Sequence, residues 1–156
     1  MEMNRARAAL PDIRCISDED MDPKNVMWCD VCPRVIDLEC LDYGNPVSHA
    51  LQLSLQWVGV TTCSLDTDKM TAFFEGYLEA YDNHFRTYSD VLGLAYTWVE
   101  WLEYNIRRAL GECVDEEERK LGVSQVRATL RRIRHIRERE GEIREVLDTR
   151  LPKGRG

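Results

Sequence analysis

Ser17-Asp18-Glu19-Asp20-Met21-Asp22-Pro23-Lys24-Asn25-Val26-Met27-Trp28, followed nine residues later by Asp37 within Val35-Ile36-Asp37-Leu38-Glu39, governs how the rest of this chain is understood. Phosphoryl transfer is catalysed mainly by positioning and charge: magnesium takes hard oxygen ligands, and an attacking hydroxyl needs a carboxylate within reach of its proton. This stretch supplies both kinds of group. Asp20-x4-Asn25 has the spacing of a loop in which the Asp serves as base and the Asn holds metal, and a short apolar run ending in Asp37 suits a second metal ligand. Val26-Met27-Trp28 and Arg34-Val35-Ile36-Asp37-Leu38 read as short strands, with Cys29 to Pro33 as the turn between them. Such a hairpin would set Asn25 and Asp37 side by side.

With these residues in order, the segment from Ile16 to Leu51 resembles the core of the aminoglycoside phosphotransferase and choline kinase superfamily, whose fold is protein-kinase-like. The resemblance rests on Asp20-Met21-Asp22-Pro23-Lys24-Asn25-Val26, then Val35-Ile36-Asp37-Leu38-Glu39, then Tyr43-Gly44-Asn45-Pro46. It implies Asp20 as catalytic base, Lys24 as a catalytic-loop cation facing phosphate or substrate, Asn25 as a magnesium ligand, and Asp37 as the ligand bridging magnesium to the phosphates of ATP or GTP. Two positions depart from the family. Asp18 stands where a His is usual, and Gly44-Asn45-Pro46-Val47-Ser48-His49 replaces a run that commonly carries an Asp at its end. Both positions bear on the rigidity of the loop.

Met1 to Leu10 reads as a short helix ended by Pro11-Asp12, and Ile13 to Ile16 as an extended lead-in. Only sixteen residues precede Ser17, and no glycine occurs before Gly44. A complete kinase places a glycine-rich phosphate cover and a phosphate-pairing lysine ahead of its catalytic loop. The expected fold is therefore mainly α with a small β-hairpin, the C-terminal lobe of a protein-kinase-like fold with its N-terminal lobe absent. It is read as a single domain over 1–156, with the catalytic loop and metal-binding hairpin at 17–45, a helical subdomain at 46–148 and a frayed tail at 149–156.

Asn45 as cap and Pro46 at the first turn start a helix to Val58 or Gly59, with Val47, Ala50, Leu51, Ser54, Leu55 and Val58 inward, beneath the catalytic loop. A second begins near Asp66 or Thr67, with Met70, Phe73, Phe74, Tyr77, Leu78 and Tyr81 as a core stripe. A third is expected from Ser89 to Leu110, with Leu92, Ala95, Tyr96, Val99, Leu102, Ile106 and Ala109 inward and Gly111 ending it. Trp98 and Trp101 fall partly off that stripe, which favours a long helix buried on two sides over a groove or a surface that meets another lobe. Asp115 to Glu118 suit the first turn of a short helix ending at Gly122. Ser124 then caps a last helix to about Asp148, with Val126, Leu130, Ile133, Ile136, Ile143 and Val146 or Leu147 inward.

No run approaches the apolar length of a membrane span, and no apolar signal region opens the sequence, so a cytoplasmic protein is expected. Six cysteines (15, 29, 32, 40, 63 and 113) read accordingly as free thiols. Cys29-Asp30-Val31-Cys32 has knuckle spacing but lacks a second ligand pair and a thioredoxin-like alternation of strand and helix around it, which favours turn residues over zinc or a redox role. Residues 119–156 hold 12 Lys+Arg against 5 Asp+Glu, although the whole chain has a net charge of −7. The interleaved Glu138, Glu140, Glu142 and Glu145 favour a solvated face pairing with the acidic body over a nucleic-acid surface. Crowded carboxylates at Asp18, Glu19, Asp20 and Asp22 suit a small, cationic hydroxyl acceptor such as an aminosugar or quaternary amine.

The leading expectation is thus a kinase lobe that needs its other half for activity. The alternative is a non-catalytic remnant or protein-binding module of the same fold. Either should expose an apolar face that self-associates or meets the missing lobe.

Overall fold

A computed structural model describes residues 2–18, 20–81, 87–95, 98–112 and 115–150. Its helices are α1 (Glu2–Ala9), α2 (Pro46–Trp57), α3 (Thr67–Ala80), α4 (Leu92–Ala95), α5 (Val99–Ala109), α6 (Glu116–Glu138) and α7 (Glu140–Glu145). The strands are β1 (Cys15–Asp18), β2 (Val26–Cys29), β3 (Cys32–Val35) and β4 (Leu41–Gly44). The described chain is mainly helical with a small β component. The expectations for Glu19, Tyr96, Cys113 and residues 151–156 lie outside the described residues, as does the side chain of Ala95.

Asn45 and Pro46 start α2 for a local reason. The Asn45 Oδ1 accepts from the backbone N–H groups of Val47 (3.0 Å) and Ser48 (3.3 Å), satisfying donors that the first turn leaves without a carbonyl partner. Pro46 has no N–H to leave unpaired. The expected inward residues, Val47, Ala50, Leu51, Ser54, Leu55 and Val58, are all buried. On α3, capped by the Asp66 carboxylate, Met70 and Phe74 are fully buried, Phe73, Tyr77 and Leu78 pack partly against them, and Tyr81 lies exposed. Tyr88, Val91 and Leu92, with Ile136, Ile143, Val146 and Leu147, complete the same core. Each large apolar side chain removed from water there contributes roughly 1.5–3 kcal/mol before conformational entropy is counted.

The third expected helix is not continuous. A 3-10 turn at Tyr88–Val91 leads into α4, and α5 starts anew after Trp98, whose φ of +39° breaks the helical ladder. The inward face also differs, because Val99 and Ile106 are exposed while Asn105 and Arg108 are buried. Gly122 explains this. A Cβ there would lie 2.8 Å from both the Ala109 N and the Arg108 Cβ, so α5 and α6 cross with their backbones close at that point. The crossing turns the Asn105, Arg108 and Ala109 side of α5 toward α6. Asn105 donates to the Trp101 carbonyl (2.9 Å), and the Arg108 guanidinium pairs with Glu118 and lies over the Tyr104 ring.

The same glycine corrects the expected boundary at 122. It does not end a helix: α6 runs unbroken through Gly122 and Ser124 to Glu138, and the break comes at Arg139. A wide turn at Val146–Arg150 follows α7. Leu130, expected inward, is exposed, and Thr129 takes the buried place. The charges of this segment pair both within it and, in part, with the acidic body. Glu140 pairs with Arg144 and Glu142 with Arg139, both within the segment, while Arg150 reaches Asp68 on α3.

Among the described residues the strands form two antiparallel pairs. In one, β1 and β4 run from Cys15↔Gly44 to Asp18↔Leu41. In the other, β2 and β3 run from Val26↔Val35 to Cys29↔Cys32. The hairpin turn is only Asp30-Val31, shorter than the expected Cys29 to Pro33, so β3 starts two residues early and ends at Val35. Asp37 consequently lies beyond the strand, in left-handed backbone at φ +64°.

Candidate functional site

The acidic loop is folded by its own side chains. Asp18, at the end of β1 and 5% exposed, accepts from the Asp20 backbone N–H (3.1 Å), a short-range Asx contact that reverses the chain. Pro23 fixes the start of a single 3-10 turn, Pro23–Asn25, and the Asn25 N–H donates to the Asp22 carbonyl at 2.8 Å. From this turn the buried Asn25 side chain reaches back. Its Nδ2 donates to the Asp20 carbonyl (2.7 Å) and to the Asp20 Oδ2 (3.1 Å).

Lys24 completes the group, its Nζ 3.1 Å from Asp20 Oδ2 and 4.0 Å from Asp22. The hydrogen bond to Asp20 raises the Lys24 pKa against an opposing desolvation, and the charges of Asp20, Asp22 and Asp37 add to the rise. Burial raises the Asp22 carboxyl above its ordinary range, Lys24 opposes this, and Asp20 adds to it. Asp22 Oδ1 and Asp18 Oδ2 are buried without a hydrogen-bond donor.

Asp37 joins the group through the hairpin. The Ile36 N–H donates to the Asn25 carbonyl at 2.9 Å, so Asp37 follows the residue bonded directly to Asn25. Its charge is felt both at Lys24 and at Cys40. The exposed Cys40 thiol is pushed up by local desolvation and then by Asp20, Glu39, Asp18 and Asp37. The four residues read from sequence, Asp20, Lys24, Asn25 and Asp37, therefore converge, with Asp37 held by a loop and not by a strand.

These groups suit a hard cation. Asn25 Nδ2 is committed to Asp20, which leaves its carbonyl oxygen without a donor among the described residues, and Asp37 offers an exposed carboxylate. No cluster of three or more His, Cys, Asp or Glu suited to a metal occurs among the described residues. Magnesium characteristically takes only one or two protein carboxylates and fills its octahedron with water and substrate phosphates. Asn25 and Asp37 supply oxygen donors of the kind magnesium takes.

Helix α2 carries the loop. Trp57 Nε1 donates to the Met21 carbonyl (2.9 Å), Asn45 Nδ2 to the carbonyls of Pro11 (2.8 Å) and Ile13 (3.2 Å), and Tyr77 Oη to the Pro46 carbonyl (3.2 Å). Of these supports, Trp57 was not singled out from sequence, and Asp18 was singled out only as a departure in the loop and as one of its crowded carboxylates. The Asp18-x-Asp20 spacing was a signal for the Asp18 contact, since an Asp side chain readily accepts from the N–H two residues on. A cavity of about 520 Å³ opens beside the loop, lined by Ile16, Asp18, Met21, Leu41, His49 and Tyr77 among others. Trp98 and Trp101 line a second cavity of about 510 Å³ with Arg7, His49 and Glu100, and Trp101 is exposed rather than buried between two faces.

Comparisons with protein-family models, curated proteins and solved structures returned no match to this chain.

Proposed function

We propose that Asp20, Lys24, Asn25 and Asp37 are the hydroxyl-activating and metal-holding part of a phosphotransferase of the aminoglycoside phosphotransferase type. In this reading a substrate hydroxyl approaches the Asp20 Oδ1, which carries no hydrogen bond among the described residues, and gives up its proton there. Its oxygen attacks the terminal phosphorus of ATP or GTP, and the bond to the leaving nucleoside diphosphate breaks. Asn25 and Asp37 would hold magnesium against the phosphates, with Lys24 as a cation that exchanges Asp20 for phosphate as the nucleotide arrives. The acidic loop favours a cationic acceptor, and a cytoplasmic setting belongs to the same reading.

What supports this above all is the Asn25 side chain. It is buried and bonded twice to Asp20 through its Nδ2, and the Asn25 backbone carbonyl accepts from Ile36, the residue before Asp37. The test is magnesium-dependent nucleotide turnover with aminosugar and quaternary-amine alcohols as acceptors, supplied with a co-expressed nucleotide-binding lobe. Asp20→Ala and Asp37→Ala should each lower the rate by on the order of 10²-fold or more. Full rates in both variants would refute the assignment.

A second reading, a protein-binding module of the same fold, draws on a specific observation. Ile16, Leu38, Leu41 and Tyr43, along the β1–β4 pair and the segment before it, are half or more exposed. This surface would self-associate or receive another lobe. Sedimentation over a range of concentrations should show association weakened by Ile16→Lys and Leu41→Lys. A monomer at every concentration would count against self-association.

A further inference from the structure

Cys29 and Cys32 are the last residues of β2 and the first of β3, and they are register partners across the hairpin. Residues directly opposite in an antiparallel pair have Cα atoms about 4.5–5.5 Å apart, inside the roughly 4.4–6.8 Å range that a disulfide spans. Only Asp30 and Val31 separate them. Asp30 takes a φ of +56° at the first turn position, a conformation that Asp tolerates better than most residues. Both cysteines are exposed and both are free thiols.

Two thiols could mark a soft-metal site, but zinc asks for four ligands, and no cluster of three or more His, Cys, Asp or Glu suited to a metal occurs among the described residues. An accessible pair already facing one another across a tight turn suits two-electron thiol chemistry better. We propose that Cys29 and Cys32 form a reversible dithiol–disulfide site whose co-substrates are low-molecular-weight disulfides. This goes beyond the phosphotransfer reading and does not depend on it.

The step is balanced thiol–disulfide exchange. The thiolate of one cysteine attacks a sulfur of the small disulfide, forming a mixed disulfide and expelling one small thiolate. The thiolate of the other cysteine attacks the protein sulfur of that mixed disulfide, closing the Cys29–Cys32 bond and releasing the second small thiolate. The two cysteines lose two electrons, the small disulfide gains them, and the two protons leave with the released thiols. The hairpin register makes the second attack intramolecular, so closure outruns the arrival of a second small disulfide.

The sequence provides a clean assay. Trypsin cuts after Lys24 and Arg34, giving a peptide Asn25–Arg34 in which Cys29 and Cys32 are the only cysteines. The reduced full chain is incubated with oxidised glutathione without oxygen, quenched with iodoacetamide, digested and weighed. The expected product is an unalkylated Asn25–Arg34 peptide lighter by two hydrogens, returned to the doubly alkylated form when dithiothreitol precedes the quench. In Cys29→Ser and Cys32→Ser, the remaining thiol should instead keep one glutathione. Three results would overturn the proposal: a wild-type peptide bearing two glutathiones, a peptide still doubly alkylated when Cys40 or Cys63 has reacted, or a disulfide joining two chains.

Discussion

Helix α2 and the four strands that precede it are neighbours in sequence and opposites in burial. The inward residues of α2 are 2% exposed or less, whereas Ile16 and Tyr43, cross-strand partners on β1 and β4, are 65% and 68% exposed. Two-stranded sheets are marginal by themselves. Here they are held by their ladders and by polar bonds into α2: Trp57 to the Met21 carbonyl, and Asn45 to the carbonyls of Pro11 and Ile13. The contrast teaches that burial, and the stability that comes with it, lies in the helical body, while the loop and hairpin are held by a few polar bonds. The candidate site is a thinly packed graft on a well-packed base.

The most forceful way to break that contrast is to truncate the base. Leu51→Ala, at a fully buried position, should lose about 2–5 kcal/mol in urea unfolding. Leu41→Ala, at an exposed strand position, should stay within about 0.5 kcal/mol of wild type. Comparable losses would mean that the strands belong to the core.

Next in size is the helix crossing. Gly122→Ala places a Cβ 2.8 Å from the Ala109 N and should cost about 1–3 kcal/mol in thermal unfolding. Gly76→Ala, where the new methyl meets nothing within 4 Å, should gain up to about 1 kcal/mol from helix propensity. A neutral Gly122→Ala would remove the close approach that explains the polar inner face of α5.

The anchor of the loop comes third. Trp57→Phe deletes the donor to the Met21 carbonyl and should cost on the order of 1 kcal/mol. Faster amide exchange at Asn25, whose N–H closes the Pro23–Asn25 turn, should accompany it. Unchanged exchange would free the loop from α2.

The smallest effect is a matter of pH. Burial holds the folded Asp22 carboxyl above its ordinary value of 3.8, so ionisation disfavours the native state. That penalty is absent below the ordinary value, grows as pH rises through the folded pKa, and is complete above it. Asp22→Asn should therefore unfold at a higher temperature than wild type at pH 7, with the difference shrinking toward pH 3. A gap that widens on acidification would reverse the sign.

Much of this arrangement was legible in sequence, and for identifiable reasons. The Asn45-Pro46 cap and the buried face of α2 follow from local chemistry and periodicity, and the Asp20-x4-Asn25 spacing singled out two residues whose side chains meet. The hairpin was visible, but its register was not: an Asp at the first turn position permits a two-residue turn that the strand pattern around Pro33 does not announce. The β1–β4 pairing joins segments more than twenty residues apart and leaves no periodic trace in four-residue strands. Gly122 and Trp98 misled in opposite ways. The glycine looked like a stop and is a contact, and the tryptophan looked like a helical residue and is a break. Both outcomes are set by packing between helices, which sequence spacing does not encode.

The account rests most heavily on Asn25 and Asp37 acting together as oxygen ligands. Titrating ATP by calorimetry into the full chain together with the co-expressed nucleotide-binding lobe, with magnesium and again with a chelator, tests this directly. Magnesium-dependent binding that is lost in both Asn25→Ala and Asp37→Ala, and kept in Leu41→Ala, is the predicted result. Binding that is absent from wild type, indifferent to magnesium, or unchanged by either substitution would contradict it.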